Sequence, residues 1–378
     1  MAEKYSGAKN LGLEGIVACD TAVSSIINAT LCYRGYTIED LASNSSFEEV
    51  SFLLWKGRMP TKAELAEFSK AFRAKSVLSA EEKDLLRSLL KSAKKGIHPM
   101  HFLRSAVSAM ALLDPDADDS SAEGNERKAL RLSSKVGAIV SAFARLRDGN
   151  EIIDGRADKP VAWNFLYTLS GKEPDEEAVD VLDTALVLHA DHGMNCSTFT
   201  ARVTSSSLSD LYSAITSAIG ALKGPLHGGA NEAVLKMLDE VGSLDNVDNF
   251  VDTSLKTKRK IMGIGHRVYK SGDPRAKVLK GMSKSLTKKA GISNLFEMSE
   301  AIEKRIFDKK GLLPNVDFYS ATVYRSMDIP SDLFTPIFAA SRVVGWCAHV
   351  IEQLSNNRIY RPLGNYTGPV DLSWKDNQ

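Results

Sequence analysis

Two glycine-rich loops with one histidine each are the parts of this chain best suited to chemistry. The first, residues 223–231, reads KGPLHGGAN and contains His227; the second, residues 262–275, reads MGIGHRVYKSGDPR and contains His266. Glycine keeps side-chain bulk away from the backbone and allows positive φ where a ligand approaches closely. A single such loop could simply connect two helices. Two of them, the second ending in Asp-Pro-Arg, favour ligand contacts at both histidines.

Composition and charge narrow the class of protein. The chain has 378 residues, of which 43% are hydrophobic and 25% charged, which is typical of a globular protein with one large domain or two. A net charge of +1 provides no basic field for nucleic acid, so small-molecule chemistry is favoured. Four cysteines without C-x-x-C spacing indicate neither a zinc site nor a disulfide framework. With no apolar targeting segment and no long uncharged apolar run, we expect a cytoplasmic protein that does not enter a membrane.

The helix signals cover nearly the whole chain. Ser46, Thr61 and Ser79 each precede a Glu by three residues, the pattern of a capping box at a helix start. Further helices are expected over residues 99–113, 230–241 and 336–356, whereas strand character is confined to the first 40 residues. Residues 118–125 are acidic and small, and we expect an exposed loop there. The sequence therefore predicts an all-α protein with a little β-structure near its N-terminus.

Several polar residues have an ordinary structural role as their first interpretation. His189 continues an apolar helical stripe, which favours a satisfied core histidine, whereas His192 lies where that helix should end. Asp273 and Pro274 are typical of the N-cap and first position of a helix, which places Arg275 in its first turn. The basic run KTKRK at residues 256–260 is either a solvated face or a phosphate contact, and both interpretations stay open.

The two histidine loops resemble those of citrate synthases, and other motifs of that family follow in the family's order over roughly residues 10 to 368. They are LHADHGMN at residues 188–195, PNVD at 314–317, Ser341-Arg342, and RIYRP at 358–362. The resemblance implies an all-α, two-domain fold. A large, dimer-forming helical domain would comprise residues 1–221 and 321–378, and a small helical domain, residues 222–320, would carry the histidine loops.

The resemblance also implies a reaction, in which acetyl-coenzyme A condenses with oxaloacetate and the thioester is hydrolysed to citrate and coenzyme A. In the family pattern, Asp317 is the base that takes the methyl proton, His227 hydrogen-bonds the thioester oxygen, and His266 polarises the ketone. A thioester methyl has a pKa on the order of 20 and a carboxylate one near 4, a gap of roughly 20 kcal/mol. The enolate must therefore be stabilised as it forms.

The family pattern further assigns the binding residues. Oxaloacetate carboxylates would be bound by Arg275, Arg342 and Arg361, with His192 as a further contact, because planar guanidinium groups bind carboxylates in a bidentate manner. The segment with Arg361 would reach the neighbouring subunit's site, which implies a homodimer with shared active sites.

Coenzyme A, a co-substrate, would lie along the second histidine loop. Its expected contacts are Gly263, Ile264, Gly265, Lys256, Arg259 and Lys270, the last three near its phosphates. The pattern requires no permanently bound cofactor and no metal.

Three alternatives stay open at this point. A 2-methylcitrate synthase performs the same chemistry on propionyl-coenzyme A, which differs by one methylene, a distinction worth about 1 to 3 kcal/mol in a pocket. A helical metal-dependent hydrolase would use His98, His101, His189 and His192 as metal ligands. The third alternative is a non-catalytic helical scaffold whose loops are only surface.

Overall fold

A computed structural model describes residues 11–13, 15–266, 268–269, 271–370 and 372–373 of the chain. These residues form a small antiparallel sheet of three strands and sixteen α-helices, so the all-α prediction is confirmed. The strands are β1 (Ser24–Ile27), β2 (Thr30–Tyr33) and β3 (Tyr36–Thr37). The helices are α1 (Ile38–Asn44), α2 (Phe47–Lys56), α3 (Lys62–Ser76), α4 (Ala80–Ser92), α5 (Pro99–Met110), α6 (Ala122–Arg147), α7 (Val161–Ser170), α8 (Glu176–His189), α9 (Cys196–Ser206), α10 (Leu211–Leu222), α11 (Ala230–Val241), α12 (Val247–Lys256), α13 (Pro274–Lys289), α14 (Ser293–Lys310), α15 (Val316–Ser326) and α16 (Phe334–Ser355).

The three predicted capping boxes start helices α2, α3 and α4. In each, the hydroxyl of Ser46, Thr61 or Ser79 accepts a hydrogen bond from the backbone N–H three residues on, and the Glu there accepts one in return. Such a reciprocal pair satisfies two backbone donors that a helix start otherwise leaves unpaired. These helix starts could therefore be located from sequence to the residue.

One prediction in the N-terminal half is wrong and another is confirmed. Residues 118–125 are not all loop, because α6 begins at Ala122 with the hydroxyl of Ser121 accepting from the Gly124 N–H. Within the described ranges, strands are confined to the first 40 residues, as predicted, because they occupy residues 24–37. Burial explains their position, since Leu31 and Tyr33 in β2 are fully buried whereas Val17 is 85% exposed.

Helix α16 lies at the centre of the fold. It packs against α2, α5, α6, α8, α9 and α10, and nearly all of its side chains are buried. The stretch Ser331–Ser355 is also long and apolar enough to span a membrane, but 94% of its most apolar window is buried inside the protein. Helices at the core of soluble proteins meet the same criterion, so the apolar character of α16 is explained by its packing.

Helices α11 to α15 form a second group of contacts. Helix α15 packs against both α11 and α13, and α14 packs against α12 and α13. Helix α13 also contacts α1 and α8. The predicted boundaries of a small domain at residues 222–320 stay a prediction, but α11 and α13, which follow the two histidine loops, both pack against α15.

Candidate active site

The second histidine loop is hydrogen-bonded to the loop that precedes Asp317. The Asn315 N–H donates to the carbonyl oxygen of Gly263 at 2.9 Å, and the Asn315 side-chain amide donates to that of Gly265, also at 2.9 Å. The Asn315 side-chain oxygen in turn accepts from the Asp317 N–H at 3.0 Å and so caps α15. One asparagine therefore fixes the backbone next to His266 relative to the backbone of Asp317.

Gly263 is required for this arrangement by both conformation and space. Its φ is +73°, a region that residues with a side chain rarely adopt. A Cβ atom there would also lie 2.7 Å from the Val234 side chain and 2.9 Å from the Phe318 Cα. Close packing of the loop against α11 and α15, rather than only an approaching ligand, thus explains this glycine.

The neutral form of His266 has its proton on Nε2. Its Nδ1 accepts hydrogen bonds from the N–H groups of Val268 at 3.0 Å and Tyr269 at 3.2 Å. A nitrogen that accepts two N–H bonds carries no proton of its own, so the neutral ring must be protonated at the other nitrogen. His266 is thereby oriented to donate through Nε2.

His192 lies against His266 and is held neutral. The two ring centroids are 5.2 Å apart, and the Tyr269 hydroxyl is hydrogen-bonded to His192 Nε2 at 3.0 Å. Burial, followed by the charges of Arg275 and Arg342, lowers the pKa of His192 well below its usual value. Its predicted position at the end of α8 is confirmed.

His227 is also held neutral, with its proton on Nδ1. Its Nε2 accepts from the backbone N–H of Ser197 at 3.2 Å and lies 2.9 Å from the Ser197 hydroxyl oxygen. Ser197 is the second residue of α9, whose N-terminal partial positive charge opposes protonation of a nearby imidazole. Burial and then Arg342 lower the pKa of His227 to about 4.

The pKa of Asp317 is raised, unlike those of His192 and His227, which suits a base. It lies in the first turn of α15 with only limited access to solvent. Burial, opposed by Arg275 and reinforced by Asp273, raises the pKa of Asp317 to about 6. A carboxylate with a higher pKa binds a proton more strongly while it remains mostly ionised at pH 7.

Arg275 is buried next to the reacting groups and is anchored by Asp273. The Asp273 side chain caps α13 by accepting the Arg275 N–H, as predicted, and also pairs with the guanidinium at 3.0 and 2.8 Å. Burial opposes the charge of Arg275, but the adjacent carboxylate outweighs it and raises the pKa of Arg275. The ion pair therefore keeps a cation in a site that is almost fully enclosed.

Arg342 is an incompletely bonded guanidinium on α16. Its Nε donates to the His189 carbonyl oxygen at 2.6 Å, and its plane lies 4.6 Å from the Phe338 ring centroid. Its Nη2 is buried and has no hydrogen-bond partner among the described residues. An unsatisfied buried donor is costly, and charge-assisted bonds to a carboxylate are strong, so Nη2 fits a carboxylate ligand.

His189 is fully buried, as predicted for a core histidine. Its Nδ1 lies 2.6 Å from the carbonyl oxygen of Ala185, whereas its Nε2 has no partner in the described part of the chain. Only half of its hydrogen-bonding capacity is therefore satisfied. His189 acts here through its backbone oxygen, which holds Arg342.

Some predicted site residues are not brought to this cluster. Arg361 is exposed and makes no hydrogen bond or ion pair within the described residues. Lys256 is exposed at the end of α12, and Arg259 is paired with Glu240 at 2.5 and 2.6 Å. Lys270 lies outside the described residues. The assignment of these residues to oxaloacetate or coenzyme A thus stays a prediction.

The remaining predicted coenzyme A contact, Ile264, forms an isolated antiparallel bridge with Pro314. This bridge is a further link between the second histidine loop and the loop before α15. Ile264 therefore has a structural role in holding the two loops together, whatever contact it makes with a nucleotide.

The alternative metal site is not assembled. Its proposed ligand His98 caps α5 and pairs with Glu232 at 3.3 Å, while His192 belongs to the cluster described above. Across the described ranges, no group of three or more histidine, cysteine, aspartate or glutamate side chains is placed to bind a metal ion. The arrangement instead offers two imidazole N–H donors, two guanidinium groups and one carboxylate.

Three residues of the site were missed by sequence reasoning. Ser197 contacts His227, Tyr269 contacts His192, and the indole of Trp346 reaches Ser197 from α16. Tyr269 lies inside the second histidine loop. Its position three residues after His266 could have indicated that it belongs to the site. The contact of Trp346 with Ser197 spans 149 positions and leaves no local pattern.

Comparisons with known proteins identify the family. The family model described as citrate synthase, C-terminal domain, matches residues 12–363. Citrate synthase 2 of Bacillus subtilis (strain 168) is 53% identical over 358 residues, which cover 95% of each chain. At 41% identity, over 94% of this chain and 90% of the relative, a 2-methylcitrate synthase of Mycobacterium tuberculosis is also similar.

Solved structures agree with these sequence matches. The crystal structure of citrate synthase from Pyrobaculum aerophilum has a TM-score of 0.90 and 42% identity, with 96% of this chain and 93% of that chain covered. The citrate synthase of Thermoplasma acidophilum, in a ternary complex with carboxymethyl coenzyme A and oxaloacetate, has a TM-score of 0.89 and 32% identity, with 96% and 97% covered. Fold, motifs and extent of similarity all agree, and the chain belongs to the citrate synthase family.

Proposed function

We propose that this protein condenses acetyl-coenzyme A with oxaloacetate and hydrolyses the resulting thioester to release citrate and coenzyme A. As a member of its family, it is an acyl-transferring condensing enzyme. The observation that carries the proposal is the packing of His192 against His266, with ring centroids 5.2 Å apart. Burial, followed by the charges of Arg275, Arg342, His266 and His227, lowers the pKa of His192, which agrees with their proximity. Four separate segments of the chain therefore contribute residues to this site.

Enolate formation is assigned to Asp317 and His227. The Asp317 carboxylate takes the methyl proton, and its raised pKa of about 6 narrows the gap to the methyl pKa by about two units, or roughly 3 kcal/mol. The larger share of the gap must be closed by stabilising the oxygen on which charge develops. His227 supplies a hydrogen bond from Nδ1, because its Nε2 is occupied as an acceptor.

Carbon–carbon bond formation is assigned to His266. Its Nε2–H donates to the ketone oxygen of oxaloacetate as that oxygen gains charge, since Nδ1 is held by two backbone N–H groups. Arg275 and Arg342 bind the substrate's carboxylates, for which the unpartnered Nη2 of Arg342 offers a directed donor. Water then cleaves the thioester. Each step uses a side chain or a substrate, so the proposal requires no permanently bound cofactor.

The proposal includes a homodimer with shared sites and closure between two domains. The extended residues 357–370 expose Ile359, Leu363, Tyr366 and Val370, a pattern that suits cover by a second subunit. Arg361 lies in the same segment and would enter the neighbouring site. A small domain at residues 222–320 would move as a unit and exclude water, which would otherwise quench the enolate. The free state of all four cysteines supports a reducing, cytoplasmic location.

Thiol release from acetyl-coenzyme A tests the reaction directly. We expect purified protein to release coenzyme A only when oxaloacetate is present, with citrate formed in equal amount. Asp317→Asn, whose kcat should be strongly reduced, is the matched control. Release of the thiol without oxaloacetate, or no release from the wild-type protein, would contradict the proposal.

The acyl preference is decided by kcat/KM for acetyl- and propionyl-coenzyme A in the same assay. The higher identity of the relatives named citrate synthase favours acetyl-coenzyme A. A larger kcat/KM for propionyl-coenzyme A would instead assign the protein as a 2-methylcitrate synthase.

A further inference from the structure

We propose that Trp346 is a positioning residue for His227, acting through the hydroxyl group of Ser197. The inference rests on the proposed function, in which the Nδ1–H of His227 donates to the thioester oxygen. Trp346 lies on the central helix α16 and touches neither substrate in this proposal. Its influence would be exerted on the histidine's hydrogen-bonding state.

The three side chains form a continuous chain of hydrogen bonds. The indole Nε1–H of Trp346 donates to the Ser197 hydroxyl oxygen at 3.1 Å, and that oxygen lies 2.9 Å from His227 Nε2. Trp346 and Ser197 are both fully buried, so water cannot replace either bond without a rearrangement. The chain thereby links the core of α16 to the first histidine loop.

The direction of the bonds follows from what each group can do. An indole N–H is a donor only, so it must occupy a lone pair of the Ser197 oxygen. A hydroxyl that already accepts one bond becomes a stronger donor and a weaker second acceptor, because hydrogen bonds in a chain polarise one another. Trp346 therefore favours donation from the hydroxyl to His227 Nε2 over the reverse.

A second arrangement, in which His227 Nε2 donates to the Ser197 hydroxyl oxygen, competes with this one. The Asn195 side-chain oxygen lies 2.8 Å from the Ser197 hydroxyl, which could point its proton there instead. The hydroxyl oxygen could then accept a hydrogen bond from a protonated His227 Nε2, and Nδ1 would have no proton to donate. The Ser197 backbone N–H opposes that state by donating to Nε2, but it is shared with Asn195. Trp346 adds the second constraint that selects the productive tautomer.

Trp55 provides a matched control. Its indole N–H also donates to α16, at 2.9 Å to the backbone oxygen of Val344, two positions before Trp346. Trp55→Phe thus removes the same group and a similar bond to the same helix without touching Ser197. An effect of Trp346→Phe that arose only from a weakened α16 would appear in both variants.

A double-mutant cycle tests the proposal. Trp346→Phe, Ser197→Ala, the double variant and Trp55→Phe are compared by kcat and KM with acetyl-coenzyme A and oxaloacetate. Loss of one net hydrogen bond predicts that Trp346→Phe lowers kcat about fivefold, with KM for oxaloacetate changed by less than about twofold. In the Ser197→Ala background, Trp346→Phe should have no further effect on kcat, because the group it acts through is gone.

Additive effects in the cycle, or an equal loss of kcat in Trp55→Phe, would overturn the proposal. A second test measures the wild-type protein itself and needs a variant only to assign its signals. In ¹⁵N spectra of histidine-labelled protein, with the His227 signals identified by their loss in His227→Gln, Nε2 should be unprotonated and Nδ1 protonated at pH 7. A proton on Nε2 would also refute the inference. Wild-type protein without oxaloacetate-dependent thiol release would instead refute the proposed function.

Discussion

The imidazole rings of His192 and His266 meet at 73° with their centroids 5.2 Å apart, although 74 positions separate them in the chain. Two protonated imidazoles at this distance would repel each other, so the contact disfavours protonation of both rings at once. His227 and His266 provide directed N–H donors, while Arg275 and Arg342 provide the positive charge that two substrate carboxylates require.

Removal of the Tyr269 hydroxyl tests how His192 is held. This hydroxyl is bonded to His192 Nε2 at 3.0 Å, and Tyr269 is 3% exposed. Tyr269→Phe keeps the ring against His266 but frees the His192 imidazole to rotate. We expect KM for oxaloacetate to rise about three- to tenfold, the value of one net hydrogen bond, with a smaller change in kcat.

Tyr212→Phe is the control for that substitution. Its hydroxyl is bonded to Asp114 at 2.6 Å, and the residue is 4% exposed. Asp114 and Arg131, the charged groups beside this hydroxyl, are not among the site residues. Tyr212→Phe should lower the Tm and leave KM for oxaloacetate unchanged. Equal changes in KM for the two variants would assign Tyr269 to general stability instead of substrate binding.

Asp317→Asn tests the assignment of the base. The substitution keeps the size of the side chain and removes its ability to take a proton, so we expect kcat to fall about 10²- to 10⁴-fold. Oxaloacetate binding, measured by calorimetry, should be nearly intact. A parallel loss of binding and turnover would mean that Asp317 is structural.

Asp183→Asn is the matched control for the loss of a carboxyl group. Burial, together with the nearby Glu48, raises the pKa of Asp183 to about 8, so this group is mostly protonated at pH 7. An amide oxygen can still accept the Phe47 N–H that bonds to Asp183 at 3.0 Å. The kcat of Asp183→Asn should therefore equal that of the wild-type protein.

The acidic limb of the pH–rate profile should belong to Asp317. Its pKa is raised to about 6, whereas burial lowers that of His227 to about 4. Since the base must be ionised, kcat should be half its maximum near pH 6, level above about pH 7 and fall about tenfold per unit below about pH 5. The residual activity of Asp317→Asn should lack this limb. A limb that persists in that variant would have to come from another group.

The sequence predicted those parts of the site whose contacts join residues close together in the chain. Capping boxes and the Asp273–Pro274 helix start are local, and they were located correctly. The family motifs brought His227, His266 and Asp317 into consideration together. Ser197 and Trp346 could not be found in this way, because their contacts join distant segments through packing of α9 against α16. Tautomers likewise depend on backbone N–H directions that only the folded chain defines.

Burial of the ionised Asp317 carboxylate should lower the free energy of unfolding. The pKa of Asp317 is about 6 in the folded chain against 3.8 as its ordinary value, so ionised Asp317 destabilises the fold above pH 6. Asp317→Asn should therefore be more stable than the wild-type protein at pH 7, by about 1 to 3 kcal/mol. The difference should shrink to about 0.5 kcal/mol near pH 4, where the wild-type group is protonated in the folded state and partly protonated in the unfolded state. Denaturant unfolding at both pH values measures it, and an equal difference at both would contradict the linkage.

Mixed dimers test whether the segment with Arg361 completes the neighbouring site. If it does, a dimer of one Arg361→Ala chain and one Asp317→Asn chain has one intact site and one that lacks both groups. Random reassociation of equal amounts makes half of the dimers mixed, so about a quarter of the wild-type activity should return at low oxaloacetate.

The reciprocal mixture separates a shared site from a self-contained one. Wild-type chains are reassociated with chains that carry both Arg361→Ala and Asp317→Asn. In a shared site, the Asp317 of the wild-type chain faces a partner segment that lacks the guanidinium group, and the mixed dimer is inactive at low oxaloacetate. In a self-contained site, each wild-type chain keeps its full activity whatever its partner. Retention of all wild-type activity in this mixture would show that Arg361 does not act across the interface.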